Sequence, residues 1–161
     1  MSTNEEALSI TRTQAVISSV NHVALTLGIA GNLLSTSCDT IEEANKKLEV
    51  DDDTAARIIS LVSATVMTLL GRLVIVHETA VDDASSHADK DVIMVARAAL
   101  STVRSTLSEI ESMKKLPETE YVDIDTVRRI ASKLVTAAQA VLCILTSAVE
   151  PEQNTPPVYL N

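Results

Sequence analysis

The sequence contains no Phe, no Trp and only two Tyr among its 161 residues. An aromatic core is therefore excluded, and Leu, Ile, Val and Ala must fill whatever interior exists, which is the palette of a helix bundle. Gly occurs three times and Pro four times, against 46% apolar residues, so the chain is not collagenous, low-complexity or disordered. Cysteine is also scarce. Cys38 and Cys143 stand far apart in apolar stretches and read as reduced thiols, not as a disulfide framework. Basic residues are outnumbered, with 13 Lys plus Arg against 22 Asp plus Glu, and the net charge of −9 opposes nucleic acid and anionic membrane surfaces. The opening MSTNEEALSITRT carries acids and no basic segment ahead of an apolar run, so the expectation is a chain without a secretory signal, in the cytoplasm. One domain of this length buries roughly 70% of the unfolded chain's surface.

Three apolar runs raise the question of a membrane. Thr13 to Cys38 has no acid, Lys or Arg, but it is interrupted by Ser18, Ser19, Asn21, His22 and Asn32. Leu134 to Val149 is 16 residues long, short of the ~20 that cross a bilayer. Ile58 to Val76 contains Arg72, lacks flanking aromatics and has acidic ends, so the reading is of no transmembrane segment.

Apolar residues at three- and four-residue steps predict four helices. The first, from about Glu5 to Ser37, carries Val16, Val20, Val23, Leu27, Ala30 and Leu34, with Ala24 beside them. Gly28 and Gly31 in its second half predict a kink or a close approach by another helix. Asp39 with Glu42 resembles a capping box for a short extra helix over Ile41 to Leu48. Asp51, Asp52 and Asp53 lack the alternating spacing of a calcium loop; they suit a helix N-terminus, with Asp53 or Thr54 as the cap. The second helix, to about Val81, has Ile58, Val62, Val66, Leu69, Leu73, Val76 and Ala80 as its main stripe. Ile59, Leu61, Leu70 and Ile75 widen it, so this helix is either the most buried element or keeps spare apolar surface for a partner. The third, about Lys90 to Lys114, has Val92, Ala96, Ala99, Val103, Leu107 and Ile110 and stops before Pro117. The fourth, capped by Asp123 or Asp125 and running to about Val149, has Val127, Ala131, Leu134, Ala138, Val141, Leu145 and Ala148. The simplest assembly is all-α, an antiparallel up-down four-helix bundle over residues 1–149, followed by a Pro-containing flexible tail over residues 150–161. In it Cys38 and Cys143 lie about 27 Å apart along the rod, too far to bridge.

Dinucleotide, phosphate-loop, C-x-x-C, H-E-x-x-H and G-x-S-x-G motifs are all missing. None of His22, His77 or His87 follows a Glu by three residues, and His22 and His77 are expected about 12 Å apart in height. The reading is therefore of no enzyme, no cofactor and no metal. Tyr121 in ETEYVDI, between helices three and four, has the acidic context of a tyrosine-kinase substrate, or else packs its ring over the bundle end. Pro156, Pro157 and Tyr159 spell the P-P-x-Y that WW domains grip, and Tyr159 also begins Y-L-N, the pattern of an SH2-type phosphotyrosine site.

The aromatic-poor segments Ala56 to Val81 and Ile130 to Val149 resemble helices of talin rod domains, vinculin and focal-adhesion-targeting bundles. The resemblance implies a cytoskeletal or adhesion scaffold that binds an amphipathic helix or short peptide in a groove between its own helices. It also implies an exchangeable second helix, with Ile59, Val62, Val66, Leu69, Leu70 and Leu73 as anchors. The net acidity departs from actin or acidic-lipid binding. Two further classes are an amphipathic carrier of lipid or another hydrophobic ligand, as in insect apolipophorins, and a self-assembling structural or viral protein whose tail recruits WW domains.

Overall fold

Every helix begins on a side chain that accepts from its first free N–H groups. Ser2 Oγ accepts from Glu5 N at 3.3 Å, Asp51 Oδ1 from Thr54 N at 2.7 Å, Asp89 Oδ1 from Asp91 N at 2.9 Å, and Asp123 Oδ1 from Thr126 N at 2.7 Å. The computed structural model describes residues 2–114 and 121–149. Behind these caps run α1 (Thr3–Lys46), α2 (Asp52–Ala84), α3 (Lys90–Met113) and α4 (Ile124–Val149), with no strand among the described residues. Each helix packs on its neighbours in chain order, and α4 closes the ring against α1, as in an up-down four-helix bundle. The tail, with Pro156, Pro157 and Tyr159, lies outside the described residues.

The short extra helix is corrected. Helix α1 continues unbroken through Asp39 to Lys46. Asp39 does not cap; its carboxylate accepts from Arg128 of α4 at 2.7 Å, and Glu42 takes the other arm of the same guanidinium at 2.7 Å. Ser37 and Thr40 turn their hydroxyls back onto the carbonyls of Leu33 and Thr36, so they do not interrupt the helix. The chain then reverses through a Schellman turn in which Glu49 N–H donates to Ala44 O and Leu48 N–H to Asn45 O, both at 3.0 Å. Leu48, at φ 59°, occupies the left-handed position that usually belongs to Gly.

The interior is aliphatic throughout. The expected α1 stripe is buried, as are Ala96, Ala99, Val103 and Ile110 of α3 and Val127, Ala131, Leu134, Ala138, Val141 and Leu145 of α4. Helices α1 and α4 form the tightest pair. A Cβ on Gly31 would lie 2.7 Å from Val135 Cγ2 and 2.8 Å from the Ala131 carbonyl oxygen, so the glycine marks a close approach. Arg128 braces the same pair near its end.

Helix α2 is rotated by about one residue from the predicted stripe. Its inward side is Ala55, Ile59, Ser63, Val66, Met67, Leu70, Val74, Val81 and Ala84, whereas Ile58, Leu69 and Val76 face solvent. Periodicity alone could not choose between two adjacent apolar rows on one helix. The α2 cap is Asp51, not Asp53 or Thr54. Cys38 is buried with its thiol 3.9 Å from the Ile124 carbonyl, while Cys143 is exposed on α4 about 28 Å further along; both are free thiols.

Candidate functional site

Two surfaces of α2 are open. On one side lies the seam with α1, whose register is fixed by two contacts. The rings of His22 and His77 are 5.1 Å apart, and Asn45 Nδ2 donates to Asp52 Oδ1 at 2.8 Å near the turn. The expected height difference between His22 and His77 is thereby corrected. Because α1 runs on to Lys46, the reversal falls near Leu48, and the two histidines are almost equidistant from it along the chain. The same counting sets Ile29 abreast of Leu69 and Leu25 abreast of Leu73.

Apolar side chains project from both helices beside this seam. Leu25, Ile29 and Leu33 follow one another at four-residue steps on α1, with Ile29 69% exposed. Helix α2 presents Ile58, Leu69 and Val76, the latter two 60% and 61% exposed. Val62 and Leu73 are half-buried in the crease between the rows. Acids and Lys are missing from α1 between Thr13 and Cys38 and from α2 between Ile58 and Val76, so Arg72 is the one formal charge in the two spans. The six predicted anchors divide accordingly. Ile59, Val66 and Leu70 are spent in the bundle's own core, Val62 and Leu73 lie at the margin, and Leu69 is exposed.

The length of α2 in this face, Ile58 to Val76, is about 27 Å. Thr65 of α2 and Thr26 of α1 are satisfied within their own helices, donating to the carbonyls of Leu61 at 2.9 Å and His22 at 2.8 Å. Such residues present mainly their methyl groups outward and add little cost of desolvation to a docking event.

His22 and His77 close one end of the face. Burial, and to a smaller degree the neighbouring His22, hold the His77 imidazole below its ordinary value, and its Nδ1 is buried without a hydrogen-bond partner. No group of three or more His, Cys, Asp or Glu placed to hold a metal ion occurs among the described residues.

On the other side of α2, a shallow open groove runs between α2 and α3. A depression of about 410 Å³ there is lined by Met67, Val74, Ile75 and Leu107, with Arg72 and Glu111 at its rims. Gly71 forms part of its wall, and a Cβ there would meet nothing within 4 Å. This groove is fenced by ion pairs. Arg104 forks onto Glu78, with Nε to Oε1 at 2.9 Å, and Arg97 meets Asp82 at 3.1 Å. It is the more polar of the two surfaces.

Tyr121 is half-buried at the opposite end of the bundle, where the Arg57 guanidinium sits 5.4 Å from its ring centroid and Ser60 Oγ accepts from Val122 N at 3.2 Å. Its ring thus packs against α2, and Arg57 is shared with Asp53 at 2.9 Å. Sequence reasoning missed the outward row of α1. Its signal was present in Leu25, Ile29 and Leu33, apolar residues lying off the core stripe.

By length and composition, α1, α2 and α4 are each apolar enough to cross a membrane; about a third of each one's most apolar stretch is buried inside the bundle. No family model, curated protein or solved structure matches the chain.

Proposed function

We propose that this bundle is a non-enzymatic protein-interaction module, acting in the cytoplasm, and that the α1/α2 face is where it docks amphipathic helices. The observation that carries this reading is the double row of Leu25, Ile29, Leu33 and Ile58, Leu69, Val76 on one nearly uncharged face. Water-exposed aliphatic side chains on two adjacent helices, with Ile29 and Leu69 abreast at their centre, gain free energy when a third apolar surface covers them, and helix-in-groove recognition uses this geometry. Specificity would come from the crease at Val62 and Leu73. Docking on the closed bundle requires no release of α2, whose Ile59, Val66 and Leu70 hold the core.

Fluorescence anisotropy of a labelled leucine-rich amphipathic helical peptide tests the reading. Saturable binding that is lost in the double variant Ile29→Glu, Leu69→Glu, with helicity retained, supports it. Unchanged binding in that variant contradicts it, as does a wild type that neither binds the peptide nor self-associates through these two residues.

The lipid-carrier reading draws on a different observation, the three helices with membrane-grade hydropathy. Uptake onto uncharged phosphatidylcholine vesicles, with helicity kept and tertiary packing lost, would favour the carrier over the docking module.

A further inference from the structure

We infer that the occupant of the α1/α2 face is a second copy of the chain, the two faces closing on each other about a two-fold axis. The inference rests on the docking role of this face and names its partner. Three features of the face point to it.

The first is width. The exposed rows stand on the outward sides of two helices, not only in the crease between them. One docked helix, ~10 Å across, covers the crease and leaves the flanks of Leu25 and Ile58 in water. A layer two helices wide covers both rows, and the α1/α2 pair of a second copy is such a layer.

The second is area. From their fractional exposures, the six side chains present on the order of 600 Å² of apolar surface, the upper end of the largest patch on a typical monomer. Counted on both copies, and with the flanking Ser, Thr, Asn and His surface added, the buried total enters the ~1,200–2,000 Å² range of specific complexes.

The third is charge. A chain of net charge −9 repels its own copy wherever acids meet. The acids of α1 and α2 are confined to the ends of the helices, outside the spans Thr13 to Cys38 and Ile58 to Val76. This face therefore lets two copies touch without opposing carboxylates. An isologous contact is self-limiting, so the product is a closed dimer, not a filament.

Sedimentation equilibrium of the full chain across ~1–100 μM reads the result directly. The expected mass is twice 17.2 kDa for the wild type and for Met94→Glu, an exposed control on α3. Dissociation is expected to be at least about 30-fold easier for Ile29→Glu and for Leu69→Glu taken singly, with circular dichroism confirming that each variant is folded. A mass of 17.2 kDa at every concentration, or a dimer indifferent to both face variants, overturns the inference. A monomer that still binds the leucine-rich peptide through Ile29 and Leu69 overturns the dimer and leaves the docking role standing. A monomer that binds only vesicles overturns both.

Discussion

The imidazoles of His22 and His77 meet across the α1/α2 seam with their ring centroids 5.1 Å apart and tilted by 39°. That contact ties the register of the hairpin to a titratable pair at one end of its apolar face. His77 is the member whose proton affinity is lowered, chiefly by burial and then by His22. In the unfolded chain His77 protonates near pH 6.5, whereas in the fold it does so only at lower pH. The unfolded state thus binds the extra proton first, and stability present above about pH 6.5 is lost as the pH falls toward the folded value. Urea denaturation between pH 7.5 and 5.5 is expected to show falling midpoints in the wild type and a flatter dependence in His77→Gln. Equal slopes in the two proteins would contradict this assignment.

The glycines divide into opposite cases. Gly31→Ala forces a methyl group to within 2.7 Å of Val135 Cγ2 and 2.8 Å of a backbone oxygen; the α1/α4 pair must spread, at a cost of about 1–3 kcal/mol. Gly71→Ala meets open space and gains helix propensity, so about 0.5–1 kcal/mol of stabilisation is expected. Thermal melts of the two variants should move in opposite directions.

Leu48 holds a left-handed conformation that costs an L-residue with a Cβ about 1–2 kcal/mol. Leu48→Gly relieves this strain, offset in part by the greater freedom of glycine in the unfolded chain. A net gain of about 0.5–1 kcal/mol is expected in chemical denaturation.

Ser63 is fully buried and its Oγ has no hydrogen-bond partner. Ser63→Ala removes an unsatisfied hydroxyl at the cost of a very small void, so stability should rise by up to about 1 kcal/mol, or ~2–4 °C in melting temperature.

The two thiols should react at different rates. Burial pushes the Cys38 thiol up, against the opposing pull of Arg128, while Cys143 is exposed. One equivalent of a maleimide is expected to add quickly to the native protein and a second only on unfolding. Rapid loss of both thiols in the folded state would show that the Cys38 region opens.

The helices, their order and the buried stripes of α1, α3 and α4 were legible from their three- and four-residue spacing, although the outward row Leu25, Ile29 and Leu33 of α1 was not. Two further features escaped. Helix α2 bears adjacent apolar rows, and only packing against α1 and α3 decides that Ile59 and Leu70 go in while Ile58 and Leu69 stay out. Asp39 looks like a cap in sequence because its partner, Arg128, is 89 residues away. Misplacing the end of α1 there also misplaced the turn, and with it the meeting of His22 and His77. The same slip hid the alignment of Ile29 with Leu69 that defines the candidate face. Gly28 and Gly31 allow either a kink or a close approach in sequence, and Gly31 is the close approach; Gly71, equally central in its helix, meets open space, so glycine in a helix does not by itself say which.

Methyl-detected NMR of the wild-type chain, recorded during titration with the leucine-rich helical peptide, tests the docking face most directly. The methyl groups of Leu25, Ile29, Leu33, Leu69 and Val76 should shift or broaden together while those of Ile75, Leu107 and Met94 stay in place. Perturbation centred on Ile75 and Leu107 would move the site to the α2/α3 groove and contradict the assignment made here.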